Sequence, residues 1–270
     1  MRVAAIQMNS GPDVRANLEL AGRLLAEAAD GGCKLAVLPE NFALMPARGR
    51  DKARHAEYPG DGPIQSFLAE AAARNGMWIV GGSMPLVSPG IDEERVYGGC
   101  PVYDQEGITQ ALYRKIHLFD VDLDDGESYR ESNSMYPGDE PVALDTPAGR
   151  VGLTICYDLR FPELYRRLVD AGATVFTVPA AFTTTTGKAH WHILLRARAI
   201  ENLAYVIAPG QYGSHPDDRS TFGHSLICDP WGRVLAEQAA GNCVVAAEID
   251  PELPAQLRSR FPALSNRRLT

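Results

Sequence analysis

RVGLTICYDLRFPELYRRLVDAGATVFTV, residues 150–178, carries the pattern that decides the fold. The apolar run Arg150 to Ile155 predicts a strand. An amphipathic segment from Phe161 to Ala171, with Pro162 near its start, predicts a helix. After Gly172 a second apolar run, Thr174 to Val178, predicts another strand. The same order continues with a helix over Gly187 to Leu203, behind the polar turn Thr183 to Thr186, and a strand over Ala204 to Ala208. A hairpin follows around Asp229-Pro230-Trp231-Gly232.

The first half of the chain repeats this order. Arg2 to Gln7 is a predicted strand, and a helix starts at Pro12-Asp13, runs through Leu18, Leu24, Leu25 and Ala28, and stops at Gly31-Gly32. Lys34 to Leu38 is the next strand, a helix with Asp61 and Pro63 near its start runs to about Arg74, and Met77 to Gly81 is a third strand. A hairpin, Arg95 to Tyr103 with Ile108 to Arg114, turns at Asp104-Gln105-Glu106-Gly107. Both hairpins turn on Asp-x-x-Gly, so the chain reads as a duplicated strand-helix-strand-helix-strand unit. Continuous apolar strands covered by helices imply buried mixed sheets. The expected fold is α/β, a four-layer α-β-β-α sandwich with pseudo-twofold internal duplication, spanning residues 1–270 as a single domain.

Composition agrees with one large folded unit: 270 residues, 45% hydrophobic and 22% charged, exclude a disordered or low-complexity chain. The net charge of −8, with no basic run, disfavours nucleic acid and anionic membrane as partners. No segment reaches the roughly 18 to 20 apolar residues of a membrane span, and the N-terminus lacks the features of a signal peptide. Cys33, Cys100, Cys156, Cys228 and Cys243 are odd in number, widely spaced and without a C-x-x-C pair. They predict a reducing, cytoplasmic setting and neither disulfides nor structural zinc.

Three ionisable residues stand at strand exits, where α/β folds gather reactive groups. They are Glu40 after Ala36 to Pro39, Lys115 after Ala111 to Arg114, and Cys156 after Gly152 to Ile155. Singly, each has an ordinary explanation as a solvated charge or a small buried thiol. Together, on what read as corresponding strand exits of the duplicated unit, they offer a base, a cation and a nucleophile. The polar residues after Cys156, followed by Pro162 and a helix, predict a strand-turn-helix elbow that exposes the thiol. His117, two residues past Lys115, is the rival base for a Cys-His pair. His190 and His192 do not face each other on the predicted helix, and no metal is expected there. Arg196, Arg198 and Glu201 form a charged helix face, or buried pairs if a partner covers it.

The segments LPENF around Glu40, YRKIHLFD around Lys115 and ICYDLRFPELYR around Cys156 resemble, in order and spacing, the three motifs of the nitrilase superfamily of carbon-nitrogen hydrolases. The resemblance covers nearly the whole chain. It implies the α-β-β-α sandwich, a homodimer, no cofactor, and a catalytic set of Glu40, Lys115 and Cys156. It also implies a second glutamate, most naturally Glu131, with Glu127 as the alternative. In the reaction it implies, Glu40 takes the thiol proton, the thiolate attacks an amide carbonyl, and Lys115 with the Tyr157 N–H holds the oxyanion. The run GQYGSHPDDRSTFGHS, residues 210–225, is similar to that of the deaminated glutathione amidase branch. The ω-amidases acting on 2-oxoglutaramate-type monoamides and the N-carbamoyl amino acid hydrolases are the alternatives, and a non-catalytic binding member is the reading from another class. Substrates of the two amidase branches carry carboxylates, for which Arg160, and Arg219 with His215, are the candidate partners.

Overall fold

The computed structural model describes residues 1–46, 51–87, 95–123, 126, 128–216 and 219–269. In the first half, β1 (Arg2–Gln7) leads to α1 (Val14–Asp30), whose N-cap Asp13 accepts the Ala16 N–H. β2 (Leu35–Val37) is followed by a single turn, α2 (Asp51–Arg54), and by α3 (Pro63–Asn75), with proline in its first turn and Gly76 in the left-handed conformation at its end. β3 (Trp78–Val80), β4 (Met84–Leu86), β5 (Val96–Tyr103) and β6 (Thr109–Arg114) complete the unit. A connecting stretch holds the ribbon β7 (Asp120–Asp122) with β8 (Ser128–Arg130), then β9 (Met135–Tyr136).

The second half starts with β10 (Ala143–Thr146) and β11 (Gly149–Leu153), then α4 (Pro162–Asp170), β12 (Val175–Thr177), α5 (Thr184–Asn202) and β13 (Tyr205–Ala208). The small ribbon β14 (Tyr212–Ser214) with β15 (Ser220–Phe222) precedes the hairpin β16 (Ser225–Cys228) and β17 (Val234–Gln238). β18 (Cys243–Glu248) and α6 (Leu253–Arg260) follow.

The strands form two main sheets. One runs β18-β1-β2-β3-β5-β4, with β6 and β9 also paired to β5; the other runs β10-β11-β12-β13-β16-β17. In each, three consecutive parallel strands are flanked by antiparallel ones. The duplication is thus visible in the topology: β1, β2, β3 and β5 correspond to β11, β12, β13 and β16. Side-chain alternation defines the layers. Val3, Ala5, Leu35 and Val37 join the core shared with Val151, Leu153, Val175 and Val206 of the other sheet. Their neighbours Ala4, Ile6, Ala36 and Leu38 pack instead with Leu24, Leu25 and Leu68 of α1 and α3. On the far side, Tyr165 of α4 meets Phe176 edge-on, with ring centroids 4.9 Å apart. This is the expected α-β-β-α layering. Among the described residues no helix is long and apolar enough to cross a membrane.

Three expectations are corrected. Glu40, Lys115 and Cys156 follow β2, β6 and β11, which are not equivalent strands of the two units, so the duplication does not itself bring them together. α5 begins at Thr184 rather than Gly187, because the Thr183 hydroxyl caps the Thr186 N–H and draws the polar turn into the helix. Arg198 needs no partner subunit to be buried: it donates to the Leu159 carbonyl at 3.0 Å and pairs with Glu201 at 2.8 Å.

Candidate active site

Cys156 sits at the elbow foreseen in the sequence, but the turn after it is a 3-10 segment, Cys156–Arg160, and α4 starts separately at Pro162. Its φ is +50°, a left-handed conformation that a non-glycine residue adopts at a cost. Its N–H is tied to the Pro179 carbonyl at 2.8 Å, while the Tyr157 N–H has no acceptor among the described residues. The elbow is braced by Asp158, which is fully buried. This carboxylate accepts the Ile155 N–H (2.8 Å), the Tyr113 hydroxyl (2.7 Å) and the His117 N–H (3.0 Å), and meets His117 Nδ1 at 2.7 Å. Tyr113 and His117 flank Lys115, so one carboxylate fixes the lysine strand exit to the nucleophile turn. His117 is thereby occupied, and its ring stacks on Phe161 with centroids 3.6 Å apart; it is not the partner of the thiol.

Lys115 is almost wholly buried and lies between two carboxylates. Its Nζ is 2.8 Å from Glu40 Oε1 and 2.9 and 2.8 Å from the two oxygens of Glu131. Glu131 opens a 3-10 turn and accepts the Phe119 N–H at 2.7 Å. Of the two glutamates weighed, Glu131 therefore stands on the lysine; Glu127 lies outside the described residues. The second oxygen of Glu40 accepts the Ala181 N–H at 2.8 Å, and its carbonyl accepts from Gln211 at 3.0 Å. The Cys156 thiol and the Glu40 carboxylate are near enough for each to shift the other's pKa.

These contacts set the protonation states. Burial raises the Glu40 pKa, but the Lys115 charge and hydrogen bond outweigh it and hold Glu40 below the usual carboxylate range. Burial opposes the ammonium of Lys115, yet Glu131 and Glu40 hold its pKa well above that of an ordinary lysine. Burial and then the Glu40 charge push the Cys156 thiol well above its usual value, against the pull of Lys115. The resting site thus holds a neutral Cys156 thiol, the Lys115 ammonium and the Glu40 carboxylate.

The pocket over Cys156 is lined by Glu40, Lys115, Glu131, Tyr157, Arg160 and Arg219, with Phe119, Phe182 and Thr183 among the remaining wall residues. Arg160 lies over the Tyr157 and Phe182 rings, 5.8 and 5.2 Å from their centroids. Among the described residues the Arg219 guanidinium hydrogen-bonds to the Met45 sulfur, at 3.9 Å, and to no carboxylate. His215, paired with Arg219 in the sequence reading, is not brought to the cavity. It is buried, with Nδ1 on the Ser10 carbonyl (3.1 Å) and Nε2 on the Thr221 hydroxyl (2.7 Å).

Lys52 of α2 lines the pocket and was not anticipated. Its Nζ contacts the Met135 sulfur at 3.3 Å and no carboxylate among the described residues. Burial lowers its pKa, with Glu131 and Glu40 opposing and Lys115 and Arg219 reinforcing. Its neighbours Asp51, Ala53 and Arg54 give the mixed charge of a solvated loop, so no sequence signal singled it out.

The sequence profile of the family "Carbon-nitrogen hydrolase" matches residues 2–259. The chain is 40% identical to the deaminated glutathione amidase of Yersinia enterocolitica over 267 residues, covering 98% of this chain and 92% of that protein. It is 40% identical to the Homo sapiens deaminated glutathione amidase over 270 residues, covering 98% of this chain and 82% of that one. Among solved structures it is similar to Saccharomyces cerevisiae Nit3, a member of branch 10 of the nitrilase superfamily. That likeness has a TM-score of 0.88 and 32% identity, and covers 100% of this chain and 97% of the other. Motifs, fold and full-length similarity agree: the chain belongs to the carbon-nitrogen hydrolase family, enzymes of the nitrilase superfamily that cleave non-peptide carbon-nitrogen bonds.

Proposed function

We propose that this chain hydrolyses the amide bond of a small carboxylate-bearing substrate through a Cys156 thioester, and that deaminated glutathione is that substrate. The observation that carries the reaction is the Lys115 ammonium held between Glu40 and Glu131 in the pocket that Cys156 also lines. Glu40 takes the Sγ proton as sulfur attacks the carbonyl carbon, and the carbonyl π pair moves onto oxygen. The Tyr157 N–H, which has no acceptor among the described residues, and Lys115, exchanging one of its two contacts to Glu131, receive the oxyanion. Collapse breaks the carbon-nitrogen bond while Glu40 returns the proton to nitrogen, and the amine leaves. Glu40 then takes a proton from water as it attacks the thioester, and returns it to sulfur when the acid departs. Glu131 keeps Lys115 charged and in place.

The substrate class rests on the cations of the pocket. Lys52, Arg160 and Arg219 line it without a carboxylate partner among the described residues, a surplus that suits a substrate bearing more than one carboxylate. The relatives named deaminated glutathione amidase, at 40% identity, favour that compound over 2-oxoglutaramate and over N-carbamoyl amino acids. Released amine distinguishes them: cysteinylglycine from deaminated glutathione, ammonia from the others. The highest kcat/KM is expected for deaminated glutathione, and a preference for 2-oxoglutaramate would reverse the assignment. Lys52→Met and Arg219→Gln should each raise KM about 10- to 100-fold, the worth of one charge-assisted hydrogen bond. kcat should change by less than about threefold, and an uncharged substrate analogue should lose the difference between variant and parent.

A homodimer completes the proposal. Ile193 and Ile200, seven residues apart on α5, are exposed together with Trp231, an apolar face suited to a second copy. Sedimentation velocity is expected to give twice the chain mass, and a monomer at micromolar concentration would remove this part.

A further inference from the structure

Away from the Cys156 pocket, three side chains from distant parts of the chain converge at the surface. They are His192 on α5, His224 in the turn between β15 and β16, and Glu237 on β17. Glu237 Oε1 lies 2.8 Å from His192 Nε2 and 2.6 Å from His224 Nδ1, and the three ligand-capable atoms all fall within 4.8 Å of one another. None of the three lines the pocket. His190, two residues before His192, takes no part: it turns toward Arg160, at 3.3 Å.

We propose that His192, His224 and Glu237 form a binding site for a divalent transition-metal ion of the zinc class, tying α5 to the β16–β17 hairpin. Two imidazole nitrogens and one carboxylate oxygen suit Zn²⁺, Co²⁺ or Ni²⁺ and not the oxygen-seeking Mg²⁺ or Ca²⁺. With metal-ligand distances of about 2.0 to 2.2 Å, tetrahedral ligand atoms stand roughly 3.3 Å apart. The carboxylate oxygen has to withdraw slightly from both nitrogens and the two rings have to close on the ion. Each side chain is roughly one-third exposed, which leaves an open face for water as the remaining ligand.

The surroundings hold the donors in place. The His224 ring stacks on Phe222, with centroids 4.1 Å apart, and the His192 ring stands edge-on to the same phenyl at 5.9 Å. His224 itself is held at φ +52°, its N–H donating to the Ala239 carbonyl (3.1 Å) and its carbonyl accepting from Trp191 Nε1 (2.8 Å). A strained backbone pinned at both ends presents the imidazole toward Glu237. Binding displaces the N–H protons now donated to Glu237. Trp191 also packs on Phe182, with centroids 5.0 Å apart, and Phe182 is a wall of the catalytic pocket. An ion here therefore braces the α5 side of that wall.

The test is titration with Zn²⁺ against a chromogenic indicator, and with Co²⁺ followed by its visible spectrum, on the Cys156→Ala chain so that the pocket thiol cannot serve as a ligand. One ion per chain is expected, with a cobalt spectrum of nitrogen and oxygen ligation. His192→Ala, Glu237→Gln and His224→Asn, the last tolerant of the left-handed backbone, should each weaken binding at least about tenfold. His190→Ala should leave it unchanged. A rise in Tm on zinc addition, reversed by EDTA and absent in Glu237→Gln, reports the clamp. Failure to take up zinc, or uptake indifferent to these three substitutions, overturns the proposal and leaves the cluster a hydrogen-bonded triad.

Discussion

Cys156→Ala is expected to fold and to lose turnover by at least about four orders of magnitude, as removal of a covalent nucleophile does in other hydrolases. Alanine keeps the Cβ, and the left-handed backbone at φ +50° strains cysteine and alanine alike, so the elbow has no new reason to move. The Asp158 brace holds that turn through hydrogen bonds from Ile155, Tyr113 and His117, which do not involve the sulfur. No other thiol is positioned to substitute. Burial pushes Cys100 and Cys228 to about 12, and neither lines the pocket. Intact-mass analysis of acid-quenched reactions adds a second readout: the parent should carry the acyl group of the substrate and the variant should not. Measurable turnover by Cys156→Ala, or acylation of it, would remove the thioester scheme.

What the sequence disclosed follows from which interactions are local. Apolar runs bounded by glycine and proline marked β1, β2, β3, β11, β12 and β13 to within a residue or two, because buried parallel strands have no other pattern to follow. β4 has no legible strand pattern because Pro85 sits in its centre. It is tolerated there because β4 lies at the end of its sheet, an edge that sequence alone does not reveal. Glu40, Lys115 and Cys156 stood out through their strand exits and the flanking motifs. The groups that set their protonation were less legible. Glu131 was ambiguous with Glu127 because the choice depends on which one the Phe119 N–H and Lys115 reach. Lys52 carries no motif, and His215 looked like a loop partner of Arg219 although its side chain turns inward to Ser10 and Thr221. Asp158 was visible only as one polar residue after a strand, while its role in joining two motifs 41 residues apart is purely tertiary.

Glu40→Gln should separate the two jobs assigned to Glu40, its charge and its basicity. Glutamine retains the size and an acceptor for the Ala181 N–H, but it takes no proton from sulfur or water. Hydrolysis should fall at least about 10²- to 10⁴-fold, the range of a general base, with the upper end expected because both half-reactions use it. The loss of negative charge acts in the opposite direction on the thiol. The Glu40 carboxylate raises the Cys156 pKa and Lys115 lowers it, so deleting the carboxylate lets the ammonium stabilise the thiolate. Iodoacetamide should therefore alkylate Cys156 in Glu40→Gln at a lower pH than in the parent, even as turnover disappears. In the parent, Glu40 is held below the usual carboxylate range, so the base form persists through mild acid and the acid limb of kcat/KM should lie below the ordinary glutamate pKa. The same sign applies to stability: the Glu40–Lys115 pair contributes fully above the unfolded glutamate pKa and is lost as pH falls through the depressed folded value. If Glu40→Gln abolishes alkylation together with hydrolysis, the thiolate forms only by proton transfer to Glu40 and the opposing pull of Lys115 is too weak to matter. If it keeps more than about a tenth of the parent turnover, Glu40 is not the base.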